Sequence, residues 1–326
     1  MDLSPSHSLQ PPARVAVIGA GTIGLSWVRL FASHGSRVRV FDPRPDLEDV
    51  VRTAAAAAGA APGAVDCADS ASDAADGADL VQESGPERPE DKAALFVELA
   101  ESAAEDALLL SSSSAILPTR IAQSLDDDAA ARMLIGHPFN PPHIMPLVEV
   151  VPGERTAPEA VDRALAAYRA YGRTPVALAR EARGFVGNRL QNAVLREAVH
   201  LVQSGVVDAA GLDAVVTNSL GLRWAAVGPL EGMHLGGGEA GLRGFMEHIG
   251  PSFAQIDLHE PDLSDAGMAP VFEQVEAAYG LPPEPGIARE RDRIQEGIIR
   301  LRARGGEVEG QDQTPDQAQD LAPSGD

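Results

Sequence analysis

The sequence predicts an α/β protein in which a doubly wound parallel sheet is followed by an all-helical domain. Three observations carry that reading. Short apolar runs alternate with helix-like stretches from residue 14 to residue 178, as strands and crossover helices do. A glycine-rich turn, Gly19-Ala-Gly-Thr-Ile-Gly24, follows the first of these runs. Beyond Gly184 the strand-like runs cease and apolar residues recur at helical spacing.

Each element has its own justification. Residues 14–19 are apolar on both faces, as a buried parallel strand must be, and a helical stretch continues to residue 34. A second strand is expected at 37–41, an alanine-rich helix at 47–58 and a short third strand at 64–67. Further strands are expected at 78–82, 107–111 and 133–136, with helices at 89–104 and 118–124 between them. Strands at 147–151 and 174–178, flanking a helix at 158–171, close the sheet. From 185 to 203, Val186, Leu190, Val194, Leu195, Ala198, Val199 and Val202 mark one face of a helix. The expected borders are a disordered N-terminus at 1–12, a sheet domain at 13–182, a helical domain at 183–304 and a disordered acidic tail at 305–326.

Composition narrows the function. The chain has 326 residues, 44% of them hydrophobic, enough for two cores. Acidic residues outnumber basic ones 48 to 26, and the net charge of -22 repels nucleic acid and anionic membrane surfaces alike. Cys67 is the only cysteine, which excludes an intrachain disulfide and a cysteine-rich zinc site and fits a reducing, cytoplasmic compartment. No apolar stretch is long enough for a membrane span, and residues 1–12 lack the features of a signal peptide. Walker-type, zinc-protease and serine-elbow motifs are absent from the sequence, so hydrolase and phosphotransferase readings have no support.

The glycine turn sits between a strand and a helix, where Gly19, Gly21 and Gly24 permit a tight turn, close approach of a pyrophosphate and tight helix packing. Together with Thr22 and Ile23 they form a dinucleotide fingerprint of the Rossmann type. Asp42, at the end of the second strand, is placed to accept hydrogen bonds from a ribose diol and to repel a 2′-phosphate, which favours NAD over NADP. Arg44 acts in the opposite sense, because an arginine there can recruit that phosphate.

A second constellation is His137, in Gly136-His-Pro-Phe-Asn140, with Glu149, in Leu147-Val-Glu-Val-Val151. Two strand ends joined by a proline-rich excursion can bring an imidazole and a carboxylate together. A carboxylate on one ring nitrogen fixes the tautomer and strengthens the other as a base, which proton removal from a hydroxyl requires. From spacing alone, a lone histidine at a strand end is more often a satisfied structural residue, and Glu149 can be a simple edge charge.

The residues His137-Pro-Phe-Asn-Pro, Leu147-Val-Glu-Val, Ser111-Ser-Ser-Ser114 and Gly184-Phe-Val-Gly-Asn-Arg189, taken together, resemble the 3-hydroxyacyl-CoA dehydrogenase superfamily. Asn188-Arg-Leu-Gln191, Gly221-Leu-Arg-Trp224 and Gly228-Pro-Leu-Glu231 are similar to its short hydroxyacid branch, the L-gulonate 3-dehydrogenase (lambda-crystallin) and carnitine 3-dehydrogenase type. The resemblance runs from about residue 13 to about residue 250. It implies NAD-dependent oxidation of the 3-hydroxyl of a small hydroxy acid to a 3-keto acid, gulonate-like first. Carnitine or a 3-hydroxyacyl-CoA thioester such as 3-hydroxybutyryl-CoA is the alternative, and an NAD-binding crystallin-like structural protein the alternative outside enzymes.

The same resemblance makes His137 the general base, Glu149 its orienting partner, and Ser114 and Asn188 partners of the reacting oxygen. Ser112 and Ser113 remain open as substitutes for Ser114. Glu87 and Lys92, the only lysine in the chain, fall on the cofactor side. A solvated Lys92 paired with Glu87 or Asp91 is the competing reading. Arg223 is the candidate for a substrate carboxylate, since a guanidinium fork matches two oxygens. Trp224 either packs in a helical core or faces a quaternary ammonium. Only 36 residues separate Asp42 from Asp79, without the helical hairpin that covers coenzyme A in fatty-acyl members, so a small free acid is favoured. A homodimer formed through the helical domain is the implied assembly.

Overall fold

The computed structural model describes residues 10–308. The chain divides into two compact units after Val194. In the first, eight strands form one sheet: β1 (Arg14–Ile18), β2 (Arg37–Phe41), β3 (Val65–Cys67), β4 (Leu80–Glu83), β5 (Leu108–Ser111), β6 (Met133–Pro138), β7 (Leu147–Pro152) and β8 (Thr174–Ala177). Their order is β3-β2-β1-β4-β5-β6-β7-β8, so the chain reverses direction across the sheet between β1 and β4. In open α/β sheets ligands bind outside the carboxyl ends of the strands at such a switch point.

Alternation along the strands builds two apolar layers. Val15, Val17, Val38, Val40, Leu110 and Val150 face α1 (Thr22–Ser33), α2 (Leu47–Ala57) and, among later helices, α7 (Pro158–Ala170). Ala16, Ile18, Val81, Leu109, Met133 and Ile135 face α3 (Ala71–Ala75), α4 (Pro89–Ser102), α5 (Pro118–Ile121) and α6 (Asp127–Ala131). Helical spacing explains which residues each helix buries: Leu47, Val51 and Ala54 on α2, and Ala160, Ala164, Ala167 and Tyr168 on α7. The short α3 and α6 escape the sequence reading because five-residue helices hold no full apolar repeat; each is instead capped, by Ser70 and Asp126 respectively.

The sheet is not wholly parallel, a correction to the expectation. β7 runs antiparallel to β6, and β8 runs parallel to β7. Residues 139–146, which join β6 to β7, contain no crossover helix, and a parallel return needs a longer connection. Residues 10–12 correct the expected N-terminal tail in part, because the Pro12 carbonyl accepts hydrogen bonds from the Ser36 and Tyr171 hydroxyls.

The helix α8 (Gly187–Gln203) crosses the division. Residues 183–194, assigned by the sequence reading to the helical domain, stay with the sheet unit, where Glu149 on β7 accepts the backbone N–H groups of Val186 and Gly187. The second unit adds α9 (Ala209–Thr217), α10 (Leu220–Ala226), α11 (Pro229–Gly236), α12 (Gly241–His248), α13 (Gly250–Phe253), α14 (Asp265–Tyr279) and α15 (Pro285–Val308). Its small core joins Val199, Val202 and Val271 to Leu212 and Met268. Helix α15 continues past residue 304, where the acidic tail was expected to begin. Spaced pairs such as Arg293 with Glu290 and Arg300 with Glu296 support it. Residues 1–9 and 309–326, the remainder of both expected tails, lie outside the described residues. No helix among the described residues is long and apolar enough to cross a membrane.

Behind the switch point lies a polar network. The buried Tyr168 hydroxyl donates to Gln82 Oε1 at 2.7 Å, Gln82 Nε2 donates to Ser112 Oγ at 2.8 Å, and Trp27 Nε1 donates to the same oxygen at 3.0 Å. It ties α7, β4, α1 and the end of β5 together. Removing one partner leaves a buried acceptor unpaired, at a cost of about 1–3 kcal/mol. Tyr168→Phe is therefore expected to lower the thermal midpoint by about 2–4 °C for each kcal/mol lost. An unchanged midpoint in calorimetry would remove this network from the account of stability.

Candidate active site

The glycine turn is built by packing as much as by flexibility. Gly19 has φ +100, and a Cβ there would lie 2.8 Å from the Ser84 backbone; a Cβ on Gly24 would lie 1.8 Å from the Gly19 carbonyl oxygen. Gly21 differs, since a Cβ there would meet nothing within 4 Å. Open space thus stands over the first turn of α1, where Thr22, Ile23 and their neighbours present N–H groups that no helix can satisfy internally. At the end of β2, Asp42 accepts the Ala20 N–H on Oδ2 (2.7 Å) and the Arg44 N–H on Oδ1 (2.9 Å). Each oxygen keeps a lone pair for a ribose diol. An open glycine, a helix N-terminus and a carboxylate at this spacing fit a dinucleotide.

His137 and Glu149 meet for two geometric reasons. Side chains alternate along a strand, so His137 shares the face of Met133 and Ile135, and Glu149 shares that of Val151. The antiparallel register then sets His137 directly opposite Glu149. The result is a buried bond of 2.8 Å from His137 Nδ1 to Glu149 Oε2. Because the ionised carboxylate can only accept, Nδ1 carries the ring proton and donates it in this bond, Nε2 is left as an acceptor, and the Ser114 hydroxyl donates to it at 3.1 Å.

Glu149 is held from a third side. Its Oε1 accepts the N–H groups of Val186 (2.9 Å) and Gly187 (3.0 Å) at the start of α8. Burial opposes ionisation of this carboxyl, yet the hydrogen bonds from His137, Gly187 and Val186 outweigh it and hold the group below the usual carboxylate range. The turn that aims these N–H groups carries strain, with Phe185 at φ 49 although it is not glycine. Phe185 is buried against the His137 ring at a centroid distance of 5.3 Å, and Phe139 approaches the same ring at 5.6 Å. Gly187 is required by that packing, because a Cβ there would lie 2.3 Å from the Phe139 ring.

Of the serines, only Ser114 reaches His137. Ser112 belongs to the network of Gln82 and Trp27, and Ser113 Oγ donates to Glu87 Oε2 at 2.8 Å. Glu87 also accepts the Ser114 N–H at 2.6 Å, so it pins the loop that carries the hydroxyl. Asn188 stands in the first turn of α8 rather than mid-helix, a correction to the sequence reading, and its Nδ2 donates to the Ser114 carbonyl at 3.4 Å.

Lys92 corrects the competing reading of a solvated charge paired with Glu87 or Asp91. It is buried on α4 and donates to Glu83 Oε1 (2.6 Å), Glu83 Oε2 (2.7 Å) and the Gly85 carbonyl (3.1 Å), which uses all three of its protons. Glu83, buried at the end of β4, also accepts the Ser111 hydroxyl at 2.6 Å and the Gly85 N–H at 2.6 Å. The pair therefore works from behind, locking the loops after β4 and β5 that present Glu87 and Ser114. Sequence reasoning missed Glu83, Phe185 and Gly187. An acidic residue ending an apolar strand, nine residues before the sole lysine, was the available signal for the first. Arg223 belongs to the second unit, on α10, where it is exposed and its guanidinium has no hydrogen-bond or ion-pair partner among the described residues. No cluster of His, Cys, Asp and Glu that could hold a metal occurs among the described residues.

A relay of imidazole, carboxylate and hydroxyl thus stands at the same sheet edge as a dinucleotide turn, and comparison with known proteins agrees with that composition. The chain is 39% identical over 297 residues to a 3-hydroxyacyl-CoA dehydrogenase of Gibberella moniliformis, covering 86% of this chain and 92% of that one. It is 41% identical over 263 residues to an L-carnitine dehydrogenase of Nocardiopsis dassonvillei, covering 77% and 79%. Among solved structures, an NAD+-dependent dismutase, 5-formyl-3-hydroxy-2-methylpyridine 4-carboxylic acid 5-dehydrogenase, superimposes with a TM-score of 0.75 at 29% identity, covering 92% of this chain and all of that one. Residues 14–182 match the family model of the 3-hydroxyacyl-CoA dehydrogenase NAD-binding domain and residues 184–268 that of its C-terminal domain, and the chain belongs to the 3-hydroxyacyl-CoA dehydrogenase family.

Proposed function

We propose that the chain oxidises the 3-hydroxyl of a small hydroxy acid to a ketone, with NAD as the acceptor. The observation that carries this reading is the Ser114–His137–Glu149 relay at the carboxyl edge of the sheet. NAD, when bound, supplies the hydride acceptor. His137 Nε2 takes the hydroxyl proton, and Nδ1 stays bonded to Glu149, whose negative charge offsets that of the imidazolium formed. Ser114 and Asn188 hold the reacting oxygen in line. Gly19, Gly21, Thr22, Ile23, Gly24 and Asp42 would hold the dinucleotide, while Glu87 and Lys92 fix the loops around it.

A free acid suits the site better than a coenzyme A thioester, since only α2, β3 and α3 lie between β2 and β4. That several relatives are named for L-carnitine supports ranking that acid ahead of gulonate. Arg223 would grip its carboxylate, and Trp224, 40% exposed on the same helix, offers a ring face to the quaternary ammonium. The second unit leaves Leu195, Val215, Leu222, Leu235, Met246 and Phe253 exposed around a small core, which supports a homodimer formed through it. The lone exposed Cys67 suits a cytoplasmic setting.

Three outcomes are expected. In His137→Gln, NADH titration should be unchanged while kcat falls by about two to four orders of magnitude, as removal of a general base requires; undiminished turnover would take the histidine out of the chemistry. Across carnitine, gulonate, 3-hydroxybutyrate and its coenzyme A thioester, the favoured substrate should be a free acid, and Arg223→Met should raise its KM about tenfold or more with kcat less affected. A preference for the thioester would overturn the substrate class. Sedimentation equilibrium should return twice the chain mass, and a monomer at micromolar concentration would contradict the assembly.

A further inference from the structure

The preference for NAD over NADP is read above from one carboxylate, Asp42, and the sequence leaves Arg44 as an unanswered counterweight. The structure shows where that arginine is committed. Its Nε donates to Asp46 Oδ1 at 2.7 Å and its Nη2 to Asp46 Oδ2 at 2.9 Å, so the guanidinium fork is closed by a bidentate pair. Its Nη1 donates to the Ala20 carbonyl at 2.9 Å, and its backbone N–H goes to Asp42 Oδ1 at 2.9 Å. Since the Ala20 N–H is bonded to Asp42 Oδ2, these four residues form one closed set beside the glycine turn.

Asp46 occupies a position where its chemistry has a choice. It is the residue before the first turn of α2, and an aspartate there ordinarily accepts an N–H of that turn. The Asp46 side chain makes no such bond. Its carboxylate is directed at Arg44 instead, although the helix start would use it. The next arginine along the chain, Arg52, is likewise paired, with Asp49 on α2 itself. A 2′-phosphate needs an open guanidinium near the second strand end, and here the only arginine within two residues of Asp42 is occupied.

We propose that Asp46 is a specificity-determining residue for the cofactor: it closes the Arg44 fork, so that Asp42 receives a ribose diol while a 2′-phosphate finds no cation. The inference rests on residues 14–182 binding a dinucleotide and adds a second carboxylate to the selectivity. It separates two effects that a single acid would merge. Asp42 repels the phosphate directly, whereas Asp46 withholds the group that would attract it.

The test is titration calorimetry of NADH and NADPH with the full chain, which reads binding independently of turnover. Asp46→Asn should strengthen NADPH binding on the order of tenfold, the worth of a freed charge-assisted hydrogen bond, with NADH binding little changed. Asp46→Ser, which keeps a residue type suited to the start of α2, should behave alike and separates the lock from any loss of helix stability. Asp42→Ser should weaken NADH binding yet leave NADPH weak, because the fork stays closed. The Asp42→Ser, Asp46→Asn double variant should gain NADPH affinity beyond the sum of the two, and adding Arg44→Met should abolish that gain. If Asp42→Ser alone gives the full gain, or if neither change at Asp46 alters NADPH binding in either background, Asp46 has no part in selectivity. A wild-type chain that binds neither dinucleotide would overturn the cofactor reading itself, and the lock with it.

Discussion

One buried carboxylate organises the site. Glu149 bonds the imidazole of His137 through one oxygen and the first N–H groups of α8 through the other. An ionised carboxyl in such a place is costly unless several donors meet it, and here three do. Its folded pKa lies below the ordinary value of 4.5, so its contribution to stability is present above that value and is lost as pH falls through the folded one. The same bonds that make the group tolerable also join the edge of the sheet to the helix that carries Asn188. Orientation of the His137 ring and local stability therefore rest on a single set of contacts.

A second buried charge supports the first from a distance. The Glu83–Lys92 pair is fully satisfied by Ser111 and Gly85, and it fixes the loops that follow β4 and β5. Those loops deliver Glu87 and Ser114, and Ser114 completes the relay to His137. A chain of hydrogen-bonded groups thus runs beneath the carboxyl edge of the sheet, from α4 to the start of α8. Rigid strands hold His137 and Glu149, and the buried pair limits the freedom of the loops after β4 and β5.

Much of this was legible in the sequence because the signals were periodic. Doubly apolar runs announced the strands, and the spacing from Gly19 through Gly24 to Asp42 announced the cofactor turn. His137 and Glu149 could be named as a pair, but not shown to meet, since that depends on the antiparallel register of β6 and β7 and so on the absence of a crossover helix. The competing reading of Lys92, a solvated charge paired with Glu87 or Asp91, fails for a similar reason. Its charge suggested the surface, while its true partner, Glu83, reads in sequence as the end of an apolar strand. Phe185 and Gly187 were invisible because their importance lies in a left-handed backbone and in a close ring contact, neither of which composition reports. Arg44 shows the same limit: a residue type was visible, and its commitment to Asp46 was not.

The central claim is that Glu149 holds His137 as the Nδ1–H tautomer, with Nε2 free to accept a proton from a hydroxyl. Nitrogen-15 imidazole spectra of the chain, recorded at a pH where the ring is neutral and compared with those of Glu149→Gln, test it most directly. The account predicts that His137 carries its proton on Nδ1 in the wild type and that this preference weakens in the variant. A wild-type spectrum showing the proton on Nε2 would contradict it.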